Sequence, residues 1–283
     1  MEHGIINTWA NGKSYKGTIT WFMEKPLFSV LTYNFDGYEI VRELIPETMN
    51  PNAEYIYLTN DRSLKSETWT MKYIDYPSDT KTGFGAVCYA RYHPFDYVNS
   101  DIVFKIDGSI EIRADITPLI NFFIENEYDI SVMIHQERNT MINEYLAWAE
   151  RREVRIPQLE KCLRFLSEQN YDIFNYKGLY IPGVQIQRNT DFSKNLNNLT
   201  YDLCKMLGEN TNLGIERIDQ TIFSFVLNKY YNNKKVLPLN SDMLLPNREL
   251  PLHEHKTNRF INYKRTCEPF LFNNPCIVYS IFP

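Results

Sequence analysis

The sequence predicts an α/β protein with a mostly parallel central sheet, helices on both faces, and an irregular C-terminal segment. Three observations carry this. Strand-like and helix-like segments alternate from Leu27 to Gln169, the pattern of repeated strand–helix–strand units. Several strand segments are short apolar runs, as in sheets covered on both faces. Clusters of turn-forming residues, such as Asn34-Phe35-Asp36-Gly37 and Asn50-Pro51-Asn52, separate the segments.

In chain order, Leu27 to Tyr33 is the first strand, ended by Asn34 to Gly37. Tyr38 to Leu44 has helical spacing, stopped by Pro46. Tyr55 to Thr59 is a second strand, ending in Asn60-Asp61, and Trp69 to Ile74 is a third. Gly83 to Tyr92 has the length of a helix and ends at His93-Pro94. The strand Asp101 to Ile106 runs into Asp107-Gly108-Ser109, with Ile110 to Ile112 extended beyond it. Thr117 suits a helix N-cap, with Pro118 at the first helical position. Asp129 to Ile134 is a strand, Thr140 to Arg152 a helix, and Pro157 to Gln169 another. Asp219-Gln220 opens an apolar helix through Tyr230. From Leu237 onward the text is rich in Pro, Asn and aromatics and lacks periodicity. The chain of 283 residues thus reads as one domain: a core over about residues 27–230 and a wrapping segment over 231–283.

The net charge of −5, with no block of Lys or Arg, argues against a nucleic-acid partner. Five scattered cysteines without a C-x-x-C pair fit neither a disulfide framework nor a zinc site, and they suit a reducing compartment. Met1 to Gly12 has no apolar stretch of the signal-peptide kind, and no run approaches the ~20 apolar residues that span a bilayer. A cytoplasmic protein is expected, with peripheral membrane contact left open. The 20 Tyr and 17 Phe suit carbohydrate surfaces, and equally follow from an AT-rich coding sequence.

In open α/β sheets, ligands sit beyond the carboxyl ends of the strands. Three such ends carry polar or acidic groups: Asn34 with Asp36, Asn60 with Asp61, and Asp107 with Ser109. Asp107-Gly108-Ser109 is the sharpest local pattern. The strand delivers a carboxylate to the sheet edge, and glycine allows close backbone approach. Such a turn is similar to the Asp-x-Asp turn of GT-A nucleotide-sugar transferases. There carboxylates hold Mn²⁺ or Mg²⁺, and the metal neutralises the departing diphosphate. Ser109 stands where a second Asp is usual, so either another ligand helps or metal binding is weak. The plain alternative is that Asp107 caps a turn with Gly108.

Several further segments, in order, resemble a family of glycosyltransferase-like domains of bacteria and plants. Its plant members are named for turgor regulation and seed-mucilage synthesis. The segments are Tyr33 to Glu39, Tyr57 to Asp61, Lys65 to Trp69, Arg91 to Pro94, Ile106 to Ile110, His135 to Arg138 with Glu144, and Arg217 to Gln220. Ile218 interrupts what would be an Arg-Asp-Gln signature. The resemblance implies a GT-A-like fold and a nucleotide-sugar donor bound through Asn34, Asp36, Asp61, Arg91, Asp107, Gly108 and Ser109. It implies a glycan or glycolipid acceptor met by His135, Arg217 and Gln220, in a bacterial surface-polysaccharide setting. Arg138 oriented by Glu144 suits anionic oxygens of acceptor or phosphate and is expected among the catalytic groups, against the alternative of a surface-loop salt bridge. Asp219 is the expected catalytic base, against the alternative of an N-cap. His253 and His255 could complete a metal site with Asp107. Two other functions stay open: a non-catalytic nucleotide-sugar or glycan-binding relative, and a metal-dependent hydrolase on the same fold.

Overall fold

A computed structural model of the protein describes residues 2–10, 13–21, 25–77, 80, 82–135, 138, 140–150, 156–172, 178–211, 215–230, 236–240, 265–267, 274–276 and 278–279. Strands β1 (Glu2–Ala10) and β2 (Lys13–Trp21) form an antiparallel hairpin, with Ala10 opposite Lys13. The dipeptide between them, Asn11-Gly12, is the strongest short-range hairpin signal a sequence offers.

The main body is an eight-stranded mixed sheet. Its elements run β3 (Phe28–Tyr33), β4 (Ala53–Thr59), β5 (Thr70–Tyr73), α1 (Gly83–Tyr92), β6 (Ile102–Asp107), β7 (Ile110–Glu111), α2 (Thr117–Glu125) and β8 (Ile130–Ile134). After these come α3 (Met141–Glu150), α4 (Ile156–Glu168), β9 (Tyr180–Ile181), β10 (Val184–Arg188), α5 (Asp191–Thr211), α6 (Ile215–Tyr230) and β11 (Val236–Asn240). The strand order is β11-β8-β10-β6-β3-β4-β5, with β9 beside β8. Pairings β3–β4, β4–β5, β3–β6 and β8–β11 are parallel; β10 is antiparallel to both β6 and β8. After β3 the chain moves outward through β4 and β5, then returns to the other flank of β3 as β6. The strand order therefore reverses between β3 and β6, and the carboxyl ends of β3, β4 and β6 lie side by side.

Side chains alternate across each strand, which divides the core. Phe28, Val30, Phe104 and Ile106 face a layer containing Ile116, Leu119, Ile120 and Phe123 from α2 and the turn before it. Leu31, Tyr33 and Val103 face Ala86 and Ala90 of α1. Beside α1, Tyr145 of α3, Leu166 of α4, Leu196 of α5 and Phe223 of α6 share a third cluster with Ile130 and Val132 of β8. By the same alternation Lys105 and Asp107 take the α1 side.

Four expectations are corrected. Tyr38 to Leu44 is not a helix, because side chains rather than a helical ladder satisfy its backbone. Asn34 bonds the N–H and C=O of Glu39, Thr68 accepts from Leu44 N at 2.8 Å, and Trp69 donates to Arg42 O at 2.7 Å. Thr117 is the first residue of α2, not its cap, and its N–H is taken by Asp115 Oδ1 at 2.8 Å. Asp219 lies inside α6, so it is not an N-cap either. Finally, Val236–Asn240, expected to be irregular, is the outermost strand of the sheet among the described residues, a position that tolerates Pro238. Three short strands follow, β12 (Arg265–Cys267), β13 (Asn274–Cys276) and β14 (Val278–Tyr279), the last paired with β7 just beyond the Asp107 turn.

Candidate functional site

Ligands of open α/β sheets bind where the strand order reverses. A cavity of about 320 Å³ opens there, between the ends of β3 and β6. Its walls come from the turn after β3, the inner face of α1, the turn after β6, the β9–β10 turn and the second turn of α6.

At its inner end stands an ion cluster. α1 brings Arg91, in its last turn, over the ends of β3 and β6. Arg91 donates from one terminal nitrogen to Asp107 Oδ1 at 2.7 Å and from the other to Asp219 Oδ2. Its Nε donates to the Tyr33 hydroxyl at 3.3 Å, and that hydroxyl donates in turn to Asp107 Oδ1 at 3.2 Å. The side chains of Arg91 and Asp219 are 10% and 6% exposed, and that of Asp107 is 27% exposed. Burial works against the Arg91 charge, but Asp107, Tyr33 and Asp219 outweigh it and hold the guanidinium well above its ordinary value. Burial pushes the Asp219 carboxyl up to about 6, with Arg91 opposing the rise. Behind them Lys105 is fully buried and donates to Arg91 O; burial and then Arg91 pull its ammonium well below the usual lysine range.

Glycines shape the wall. A Cβ on Gly108 would lie 2.7 Å from Tyr33 O, so only glycine lets the turn pass the end of β3. A Cβ on Gly183 would press into the Asp107 carboxylate, while Gly183 O accepts from Asp107 N at 2.9 Å. Arg42 braces the same turn by donating to Gly108 O at 3.1 Å.

The sequence-derived residues divide into groups. Asp107, Gly108, Ser109, Arg91, Asp219 and Gln220 all line the cavity. Asn34 and Asp36 line it too, but their polar atoms are engaged in holding the fold. The Asn34 amide nitrogen donates to Glu39 O and Tyr57 Oη, while its oxygen accepts from Glu39 N. Asp36, at φ 61°, accepts from Tyr76, Asn60 and the Gly83 N–H that starts α1. The Tyr76 bond above all, with Asn60 and Gly83, holds its carboxyl below the usual value, as befits a charge at a helix N-terminus. Asp61 lies outside the cavity lining and bonds Ser63 in its own turn. His135, Arg138 and Glu144 form a cluster of their own at the carboxyl end of β8, outside the lining. Arg138 pairs with Glu144 at 2.5 Å, and its Nε lies 3.0 Å from His135 Nε2. Arg217 belongs to α6; its side chain, and His253 and His255, lie outside the described residues.

Four contributors were missed: Tyr33, Gly183, Tyr38 and Phe84. Tyr38 and Phe84 are each 44% exposed and meet edge-to-face at 5.2 Å at the rim of the cavity. Pro182-Gly183 carries a turn signature that sequence alone offers. The other three are aromatics in an aromatic-rich chain, with no local mark. No group of three or more metal-ligating side chains occurs among the described residues. No helix among them is long and apolar enough to cross a membrane. The sequence matches no protein-family model, and no curated protein matches it.

Proposed function

We propose that this cavity takes the glycosyl end of a nucleotide-diphosphate sugar and that the protein transfers that group to a glycan or glycolipid acceptor. The observation that carries the reading is the Asp107–Arg91–Asp219 cluster, buried at the point where the strand order reverses. Three of the five N–H donors of Arg91 bond to protein partners. Arg91 is therefore a positioning group for two carboxylates rather than the direct donor contact expected of it. Asp219, with its carboxyl raised to about 6, is ionised at neutral pH yet more basic than an ordinary aspartate. Such a group is matched to accept a hydroxyl proton as a glycosidic bond forms. His135, Arg138 and Glu144, on the same sheet edge, suit an anionic or hydroxyl-rich part of the acceptor.

A divalent cation, Mn²⁺ or Mg²⁺, would supply the positive charge that a leaving diphosphate needs. The residues fit one in part. Asp107 Oδ2 accepts no hydrogen bond from the described residues, and Asp107 and Ser109 both line the cavity. One carboxylate oxygen and a hydroxyl make a sparse protein ligand set, to which His253 and His255 would add.

One observation favours a second reading, binding without transfer: Asp219 is pinned to Arg91 and nearly buried. Thermal shift with UDP- and GDP-sugars, with and without Mn²⁺, tests the shared premise. A ligand at 100 times its Kd stabilises by about 2.7 kcal/mol, and no shift with any nucleotide sugar overturns both readings. Sugar release with and without added acceptor then separates transfer, hydrolysis and plain binding. Asp107→Asn is expected to abolish turnover in a protein that remains folded.

A further inference from the structure

The cavity's charge and size point beyond its general class of ligand. The charged side chains among its described lining residues are Asp36, Glu39, Asp107, Asp219 and Arg91. Asp36 is bonded to the start of α1, and Glu39 pairs with Arg42. The remaining trio, two carboxylates on one guanidinium, carries one net negative charge at neutral pH. A bare phosphate would meet repulsion there, because Arg91 is already compensated twice over. Carboxylates are acceptor-only groups, so what they welcome is a ligand rich in hydroxyl donors. At about 320 Å³ the cavity lies at the lower end of ligand-pocket volumes, about 300–1,000 Å³, better suited to one sugar ring than to a whole nucleotide sugar. Its rim offers the half-exposed rings of Tyr38 and Phe84, on which the C–H face of a pyranose can shed water.

We infer that the cavity is a seat for an uncharged sugar ring, held between the Tyr38–Phe84 pair and the carboxylates of Asp107 and Asp219. This deepens the glycosyl-transfer reading and rests on it only for the role of the sugar. The seat requires neither nucleotide nor cation, so a simple glycoside should occupy it.

The test is saturation-transfer difference NMR on the full chain in EDTA, with methyl glycosides of glucose, galactose, mannose and N-acetylglucosamine. At least one should receive saturation on its ring C–H protons. The double variant Tyr38→Ala/Phe84→Ala should weaken that binding tenfold or more while its melting temperature stays within a few degrees, since both rings are exposed. Inorganic pyrophosphate without cation should not displace the glycoside. The seat is overturned if no glycoside is saturated, if the folded double variant binds unchanged, or if pyrophosphate displaces the sugar. Glycoside binding with no response to any nucleotide sugar would remove the transfer reading and leave the seat standing; nucleotide-sugar binding without glycoside saturation would do the reverse.

Discussion

Arg91 touches Tyr33, Asp107 and Asp219 at once, so removing it strands two carboxylates in a mostly buried setting. Breaking a buried ion pair from one side costs about 3–5 kcal/mol. Arg91→Ala is expected to lose about that much in urea unfolding at pH 7, and Arg91→Lys to recover only part, because a point charge cannot fork between two acids. Asp219 gives a sharper test. Its carboxyl is about 6 in the folded protein against an ordinary value of 3.8, so the folded state binds the proton more tightly than the unfolded chain. The stabilisation from protonation is complete below 3.8 and is lost as pH rises through about 6. It amounts to something on the order of 3 kcal/mol. Asp219→Asn removes this dependence. The stability difference between wild type and variant should therefore move in favour of the variant as pH rises from 4 to 7. A difference that stays flat would show that burial does not raise this carboxyl.

Each element reaches the site through its end. β3 and β6 end in register, Tyr33 beside Asp107, and α1 begins on Asp36 and Thr82 and finishes with Arg91 above them. The β9–β10 turn matters through Gly183, whose missing side chain leaves room for the Asp107 carboxylate. Gly183→Ala is expected to displace that carboxylate from Arg91 and Tyr33. Activity or ligand binding should fall tenfold or more with a modest change in melting temperature, because the obstructing atoms belong to a side chain. Gly108→Ala should behave differently: its Cβ meets the backbone oxygen of Tyr33, so the strand itself must shift. Overpacking of this kind costs about 1–3 kcal/mol, and comparing the two variants by calorimetry and ligand binding checks the distinction.

For the molecule as a whole, stability should be greatest where strands are paired on both sides and covered on both faces. β3, β6 and β10 occupy the centre of the sheet, and every residue from Phe28 to Tyr33 and from Ile102 to Ile106 is buried. Amide exchange is expected to be slowest in these three strands and faster in the edge strands β5 and β11. Mass spectrometry of deuterium uptake over minutes to hours reads this order directly. Rapid exchange in β6 would mean that the Asp107 end of the site opens locally rather than with the whole sheet.

Local pattern was enough for β3, β4, β6, β8 and α1, because buried parallel strands and a helix of even spacing depend on nearby residues. It was also enough to mark Asp107-Gly108-Ser109, since a carboxylate and a glycine at a strand end stand out in any text. Tertiary structure decided the rest. Antiparallel β10 between β6 and β8 is a matter of distant pairing, and the non-helical course of Tyr38 to Leu44 is set by the side chains of Asn34, Thr68 and Trp69. The union of Tyr33, Arg91, Asp107 and Asp219 draws on residues up to 186 positions apart, from Tyr33 to Asp219. Only a folded chain brings such groups within hydrogen-bonding distance, and only burial raises the carboxyl of Asp219, since desolvation depends on what surrounds a group in space and not on its neighbours in sequence.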